Sequence, residues 1–191
     1  MVLSDRDIKQ AIKDKDLVFT PKIMEEQIEA ASIDLKLGPV LKVFHTHKES
    51  VLDLKKHIDF NKMMDTQVFK KNQGFILHPN QFVLASSKEY MKLSNKILVR
   101  AEGKSSLARM GLLVHTAGFV DPGFEGTLTL EISNQSDIPV KLYPDMYICQ
   151  IAIERLSSPC ERSYLERKKS LYQKSAGPKV ANTSNLFKKG K

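Results

Sequence analysis

Short segments in which apolar and polar residues alternate recur along the chain, and they constrain its fold more than any other feature. Two examples are ASIDLKLG at 31–38 and GTLTLEISN at 126–134. Turn residues such as Gly, Pro and Asn interrupt these segments at spacings of about eight to twelve residues. This spacing predicts a mainly β protein, either a distorted β-barrel or a jelly roll. Since no regular β-helix-β spacing occurs, a doubly wound α/β fold is not expected.

A few short helices are expected beside the strands. In LSDRDIKQAIKDKD, Ser4 is placed to cap an N-terminal helix, and Ile8, Ile12 and Leu17 fall near one of its faces. One or two further short helices are expected, the first of them after the turn GKSS at 103–106. The Lys-rich residues 49–73 have no clear periodicity, so they are predicted to form an irregular excursion.

Positive charge is concentrated at the end of the chain. The 191 residues carry a formal net charge of +8, and residues 161–191 contain nine Lys or Arg against two Glu, a net +7. We therefore divide the chain into a β domain at 1–160, which carries the site motifs, and a basic tail at 161–191. Such a tail could be a solvated end, could bind nucleic acid non-specifically, or could close over a triphosphate.

The composition argues against several other classes of protein. The charged N-terminus is unlike a secretory signal and the apolar runs are too short to span a bilayer, so a cytoplasmic protein is expected. Cys149 and Cys160 form no metal-type cluster and are expected to be two buried thiols. The histidines are scattered, with only His45 and His47 close together, so no zinc site is expected.

The turn EGKSSLARMG at 102–111 contains the ingredients of an anion site. A Gly turn before a helix offers free backbone N–H groups, and Lys104, Ser105 and Ser106 add a cation and two hydroxyl donors. Arg109 falls four residues after Ser105, so these two side chains could share a helix face. A serine N-cap on a surface helix is the plainer interpretation of the same residues.

The stretch GFVDPGFEGTLTLEISN at 118–134 contains a carboxylate in the middle of a predicted strand. Alternation places the leucines and Ile132 on one face and Glu131 on the other, together with two threonines. This pattern alone is consistent with a solvated glutamate. Asp121 begins a Pro-Gly turn, and Phe124 follows that turn. For a single Phe, the core is the commoner location.

These two stretches, followed by LYPDMYICQIAIERL, resemble the dCTP deaminase family of the dUTPase-like superfamily. The opening LSDRDIKQAI…ASIDLKLG and the closing LYQKSAGP are similar to the family's two ends, so the resemblance covers essentially the whole chain. It implies a dUTPase-like protomer and a homotrimer with active sites between subunits. It also implies dCTP as substrate, dUTP or dTTP as product or regulator, and Mg²⁺ carried on the triphosphate. No protein-bound metal, membrane or nucleic-acid partner is expected.

The resemblance implies a catalytic role for three residues. Glu131 matches the catalytic glutamate, which would move both protons of a hydrolytic deamination at C4 of cytosine. Ser105 matches a serine that helps to hold the attacking water. Arg109 matches an arginine that orients the glutamate and the water. The polar face of the strand would then line a cleft that two subunits share.

Eight further residues match substrate-binding positions of the family. Asp121 would contact the 3′-hydroxyl of the deoxyribose, and Phe124 would pack against the sugar and disfavour a 2′-hydroxyl. The other six would surround the water or the phosphates: Lys104, Ser106, Ala117, Gln150, Tyr172 and Lys174.

The departures from the family pattern fall on the triphosphate contacts. Lys104 stands where an arginine is common, Leu171 stands where a lysine is common, and Ser175-Ala176-Gly177 replaces Gln-Gln-Gly. Three functions stay open: a dCTP deaminase that releases dUTP, a bifunctional enzyme that forms dUMP and pyrophosphate, and a catalytically weak relative that binds nucleotides or a protein partner. Because the altered tail is expected to misplace the α-phosphate, dUTP is predicted as the main product.

Overall fold

The computed structural model describes residues 1–45, 51–56, 58–70, 72–115, 118–167 and 170–183. Within these ranges the protein is mainly β, as the alternating segments predict. It contains two α-helices, α1 (Asp5–Lys13) and α2 (Ser105–Ala108), and two 3₁₀ turns at Glu25–Gln27 and Phe60–Met63. The strands are β1 (Leu17–Thr20), β2 (Ile33–Lys36), β3 (Val40–Phe44), β4 (Met64–Val68), β5 (Phe75–Leu77), β6 (Phe82–Leu93), β7 (Ile97–Gly103), β8 (Leu112–His115), β9 (Phe119–Val120), β10 (Glu125–Asn134), β11 (Val140–Leu142) and β12 (Tyr147–Arg155).

Two large sheets and one small sheet make up the fold. The first large sheet has the strand order β4-β3-β6-β10-β8, with β1 also paired to β6. The second has the order β2-β12-β7-β9, and β5 pairs with β11 in the small sheet. Among the described residues neither large sheet closes on itself, so the architecture is jelly-roll-like rather than a closed barrel.

Both large sheets contribute to one hydrophobic core. Ile151 and Ile153 of β12 and Leu130 and Ile132 of β10 are completely buried. Burying one such side chain is worth about 1.5–3 kcal/mol through the apolar area that it removes from water. From Leu128 onward every second residue of β10 is buried in this way, which leaves the opposite face of the strand available for a site.

Helix α1 lies where the sequence predicts it. Its first turn carries two aspartates, which interact favourably with the helix N-terminus, and Ile8 is buried against the core. Ser4 occupies the N-cap position, although its side chain makes no capping hydrogen bond. Leu17, expected on the helix face, begins β1 instead, because the chain turns at Lys15 with a φ of 60°. No helix of the described ranges is long and apolar enough to cross a membrane.

Residues 49–73 contain more regular structure than their weak pattern predicts. Strand β4 lies in this segment and pairs with β3 along its whole length, so backbone hydrogen bonds rather than alternating apolar side chains define it. Within residues 49–73, the side chains of Phe60 and Met64 are buried. The prediction of an irregular excursion is therefore wrong for β4, while residues 49, 50, 57 and 71 lie outside the described residues.

The two cysteines have different surroundings. Cys149 is buried in β12, and burial raises the pKa of its thiol to about 12, with the nearby acids Glu89 and Asp34 adding to the effect. Cys160 is only half-buried. The expectation of two buried thiols is therefore wrong for Cys160.

A buried carboxylate on β6 connects the two large sheets. Glu89 is only 1% exposed and accepts hydrogen bonds from the side-chain amide of Gln27 (3.1 Å) and the backbone N–H of Lys36 in β2 (2.9 Å). Burial raises the pKa of Glu89 because it disfavours the charged form, and these hydrogen bonds offset only part of that rise. The folded protein therefore holds this proton to a higher pH than the unfolded chain does.

The raised pKa of Glu89 predicts a measurable effect of pH on stability. Its favourable contribution is fully present below the ordinary value of 4.5 and is lost as the pH rises through the folded-state pKa. We expect Glu89→Gln to remove this dependence of the free energy of unfolding on pH. The difference in free energy of unfolding between the variant and wild type should therefore shift in favour of the variant from about pH 4 to about pH 8. Urea unfolding at both pH values measures the difference. Glu29→Gln, at an exposed site, is the control, and parallel profiles for Glu89→Gln and wild type would contradict the prediction.

Candidate active site

A cleft of about 500 Å³ opens between the polar face of β10, the turn after β9 and the C-terminal tail. Four of the predicted site residues line it together: Asp121, Phe124, Glu131 and Tyr172. Apolar residues of β3, β4 and β6 form another side: Phe44, Met64, Phe82 and Leu84. This volume lies within the range of about 300–1,000 Å³ that is typical of small-molecule sites.

Most of the β10 residues that line the cleft are polar, and Leu128 is the apolar exception. Thr127, Thr129 and Glu131 line the cleft, whereas Leu130 and Ile132 lie in the core. Alternation along an extended strand places neighbouring side chains on opposite faces, so the same pattern builds both surfaces. Glu131 is therefore half-buried in a cleft wall and does not stand on an open surface.

The carboxylate of Glu131 is available for chemistry. The residue stands opposite Leu84 of β6 and His115 of β8 in two antiparallel registers, which fix its backbone from both sides. Within the described part of the chain, its side chain makes no hydrogen bond or ion pair. No other described residue therefore occupies the lone pairs of its two oxygens, which can accept from a water or a ligand. A carboxylate in this state can accept a proton and return it.

The turn at 121–124 brings a second carboxylate to the cleft. The N–H of Phe124 donates to the carbonyl of Asp121 (3.1 Å), and Gly123 adopts a φ of 79° that favours glycine. The Asp121 carboxylate pairs with Arg167 of the tail (3.0 Å). The buried Phe124 ring packs against the Tyr164 ring with centroids 5.8 Å apart, so Phe124 serves both the core and the cleft wall. Among the described residues, no group of three or more His, Cys, Asp or Glu could hold a metal ion.

The tail docks beside β10 mainly through backbone atoms. The N–H of Thr127 donates to the carbonyl of Ser175 (2.9 Å), and the Ser175 hydroxyl donates to the carbonyl of Thr127 (3.2 Å). The N–H of Gly177 donates to the Thr127 hydroxyl oxygen (3.0 Å). Gly126 permits this approach, because a Cβ at that position would lie 2.7 Å from Ser175 Oγ. The tail therefore reaches the cleft of its own chain.

Two tail tyrosines line the cleft, and only one of them is predicted from the sequence. The backbone N–H of Tyr172 donates to the hydroxyl oxygen of Tyr164 (3.1 Å), so the two are joined directly. Lys179 also lines the cleft, where its N–H donates to the Thr129 hydroxyl oxygen (3.1 Å). Sequence reasoning missed Tyr164 and Lys179. An aromatic residue in an otherwise polar, basic tail is the only signal that points to Tyr164.

The residues predicted to hold the water, together with the predicted phosphate-binding Ser106, lie apart from this cleft within one chain. Ser105, Ser106 and Arg109 are exposed on and after α2, and the N–H of Arg109 donates to the carbonyl of Ser105 (3.0 Å). In the described ranges no hydrogen bond or ion pair joins these side chains to Glu131. One chain therefore brings together the predicted catalytic glutamate and the two residues predicted to contact the sugar. The predicted catalytic serine and arginine are not part of this cleft.

Lys104, at the N-cap position of α2, contacts a buried acid. Its ammonium pairs with Asp34 and lies 5.8 Å from the centre of the Tyr147 ring. The other carboxylate oxygen of Asp34 is buried with no hydrogen-bond partner among the described residues. Gln150 stands opposite Asp34 in the β12–β2 register. Lys104 and Gln150 therefore lie on one surface, and because Lys104 occupies the N-cap, the interpretation of a serine N-cap is wrong.

Two other tail positions, the predicted Lys174 and the altered Leu171, do not line the cleft. Lys174 adopts a left-handed φ of 54°, and its N–H donates to the carbonyl of Glu125 (2.6 Å). Leu171, at the position where a lysine is common in the family, is partly exposed on the tail. Ala117 lies outside the described residues, so its predicted place beside the water stays a prediction.

Comparison with protein families identifies the group to which the chain belongs. Residues 2–156 match the family model described as dCTP deaminase-like. The chain belongs to the dCTP deaminase-like family. This match confirms the resemblance that the motifs indicate, and it spans every strand of the β domain.

Two relatives match the chain over almost its whole length. The protein named "dCTP deaminase, dUMP-forming" from Methanobrevibacter smithii is 40% identical over 179 residues, which cover 93% of this chain and 92% of the relative. A protein of the same name from Thermobifida fusca is 44% identical over 181 residues, which cover 93% of this chain and 90% of the relative.

A solved structure supports the fold assignment for this dCTP deaminase-like chain. The crystal structure of 2′-deoxycytidine 5′-triphosphate deaminase from Agrobacterium tumefaciens matches with a TM-score of 0.64 at 21% identity. The match covers 82% of this chain and 49% of that longer chain. At this identity the likeness shows a shared fold and nothing finer.

Proposed function

We propose that the protein converts dCTP to dUMP, with ammonia and pyrophosphate as the other products. The observation that carries this proposal is the half-buried Glu131 carboxylate, which lines the cleft together with Asp121 and Phe124 and makes no hydrogen bond or ion pair to another described residue. The names of the two relatives support dUMP as the product. They favour the bifunctional alternative over the release of dUTP that the altered tail predicts. Because the substrate belongs to the deoxynucleotide pool, we expect a cytoplasmic location.

In the first step, Glu131 acts as a general base and then as a general acid. It accepts a proton from a water that attacks C4 of the cytosine, and it delivers that proton to N3. The hydroxyl proton of the tetrahedral intermediate then passes to the exocyclic amine, which leaves as ammonia. The step consumes dCTP and one water, and it forms dUTP and ammonia.

In the second step, a second water attacks the α-phosphorus and pyrophosphate leaves before dUTP is released. Mg²⁺ enters as part of the triphosphate substrate. Asp121 and the docked tail are the groups of the cleft that can position this water and the α-phosphate. In this proposal the altered side chains of the tail do not prevent the step, because Ser175 docks against Thr127 through both its carbonyl and its hydroxyl.

We further propose that the complete site forms between copies of the chain in a homotrimer. The exposure of Ser105, Ser106 and Arg109, away from the cleft that holds Glu131, supports this arrangement. A neighbouring copy would insert its α2 turn into the cleft and supply the groups that hold the attacking water. Such head-to-tail contacts close into a ring when the rotation between copies permits it.

A mixture of two inactive variants tests whether two chains share each site. Glu131→Gln lacks the proton carrier and Arg109→Ala lacks the predicted orienting cation. In randomly mixed trimers, about one site in four would combine an intact Glu131 with an intact Arg109. We expect that fraction of wild-type ammonia release after co-refolding at equal amounts. Each variant refolded alone is the control. A mixture as inactive as its components, although trimeric by light scattering, would place the site within one chain.

The product assay tests the proposed function itself. Purified protein is incubated with dCTP and Mg²⁺, ammonia is quantified, and the nucleotides are separated by anion exchange. We expect ammonia, dUMP and pyrophosphate in equal amounts. Ammonia with dUTP would indicate a simple deaminase. Bound nucleotide without ammonia would indicate a catalytically weak relative. Addition of dTTP to the same assay tests the predicted regulation.

A further inference from the structure

We infer that Arg167 is a positioning residue for sugar recognition. It holds the Asp121 carboxylate so that one carboxylate oxygen is presented to the 3′-hydroxyl of the deoxyribose. This inference rests on the proposed function, because it takes Asp121 as the sugar-binding residue. The sequence motifs do not point to Arg167, which is one of several basic residues in the tail.

The contact joins the tail directly to the cleft wall. Nη1 of Arg167 donates to Oδ2 of Asp121 at 3.0 Å, and the two side chains are 51% and 36% exposed. Ion pairs this exposed contribute little to the stability of a fold. A role for Arg167 must therefore come from its effect on Asp121, which lines the cleft.

Hydrogen bonds within the chain hold the backbone around Arg167. The N–H and the hydroxyl of Ser163 both donate to one oxygen of Glu166 at 2.9 Å, and the N–H of Arg167 donates to the carbonyl of Ser163 (3.2 Å). The N–H of Tyr164 donates to the carbonyl of Pro122 (2.7 Å), and this bond attaches the tail to the turn at 121–124. The guanidinium is thus presented to Asp121 by a local structure that the chain's own hydrogen bonds define.

The pairing leaves one oxygen of Asp121 for the substrate. An ionised carboxylate accepts hydrogen bonds through both oxygens. Oδ2 is held by Arg167, and no other described residue donates a hydrogen bond to Oδ1. A charge-assisted bond restricts rotation of the carboxylate and so orients Oδ1. Loss of Arg167 removes this orientation of Oδ1.

A comparison of dCTP with 2′,3′-dideoxycytidine triphosphate, which lacks the 3′-hydroxyl, tests this inference. With ammonia release as the readout, we expect Arg167→Ala to raise KM for dCTP about five- to tenfold with little change in kcat. KM for the dideoxy nucleotide should stay near the wild-type value. Arg167→Lys should recover part of the loss, because lysine keeps the charge without the planar fork. Arg162→Ala removes the same charge from the same exposed stretch and should leave both KM values unchanged.

The possible outcomes separate this inference from the proposed function. An equal rise of KM for both nucleotides, or a fall for dCTP, would contradict a positioning role. Asp121→Ala should abolish the preference for dCTP, and adding Arg167→Ala to it should change nothing further. A wild-type protein that deaminates both nucleotides equally would overturn the inference and leave the deaminase function standing. A wild-type protein that releases no ammonia from dCTP would overturn both.

Discussion

Replacing Glu131 with glutamine is expected to lower ammonia release from dCTP by at least about 10²–10⁴-fold, the usual range for one general acid–base group. Glutamine has nearly the same size but cannot take up a proton, and in the proposed mechanism one carboxylate serves two proton transfers. The fold should be preserved, because within the described residues the Glu131 side chain has no hydrogen bond or ion pair to lose. Binding of dCTP should also persist.

The same strand offers a matched control for this variant. Glu125 begins β10, accepts a hydrogen bond from the Tyr90 hydroxyl (3.1 Å) and does not line the cleft. Glu125→Gln should therefore retain near-normal turnover. Initial rates, thermal unfolding and dCTP binding are measured for both variants. Near-normal turnover by Glu131→Gln would rule out the proposed mechanism.

Removal of residues 171–191 is expected to raise KM for dCTP by about 10–100-fold, since 1.4 kcal/mol of lost binding corresponds to a factor of ten. This segment contains five lysines and no acid, and Lys179 lies at the cleft. A charge pair at about 4 Å is worth about 1 kcal/mol in water and more near a protein surface. The loss should fall on triphosphate binding, because the contacts of Tyr164 with Phe124 and of Arg167 with Asp121 remain.

A longer truncation separates the tail's effect on binding from its effect on folding. Removal of residues 164–191 also takes away the Tyr164 ring and exposes Phe124, which is 7% exposed in the intact chain. We expect this variant to lose several degrees of Tm, whereas the shorter truncation loses little. If the shorter truncation binds dCTP as tightly as the full chain, the basic tail is a solvated end and the proposal for it fails.

Strand β10 illustrates how much of the fold can be predicted from the sequence. Its alternation correctly separates the core residues Leu130 and Ile132 from Glu131, because the period of an extended strand is a local property. Its position between β6 and β8 is not predictable in this way, since these pairings join distant segments. Alternation therefore identifies the polar face of β10, and only the pairing shows that this face lines a cleft.

The tail illustrates what the sequence leaves unpredicted at the site. Its charge and Tyr172 indicate a segment near the nucleotide, but docking uses the carbonyl of Ser175, an atom that every residue type possesses. Because such backbone contacts do not depend on residue type, the pattern of side chains in the sequence does not predict them. Arg109 illustrates a second limit, because the spacing of residues along the chain does not show that Arg109 and Glu131 lie apart within one chain. Only the resemblance implies a site between subunits.

The central claim is that one cleft carries dCTP through to dUMP without releasing dUTP, and an isotope trap tests it most directly. Radiolabelled dCTP and Mg²⁺ are incubated with the protein in the presence of a pool of unlabelled dUTP, and the label in dUTP and dUMP is followed from the first turnovers. The account predicts labelled dUMP from the start, with no label entering the dUTP pool. Label that collects in the dUTP pool, with dUMP absent or appearing only after a lag, would contradict it.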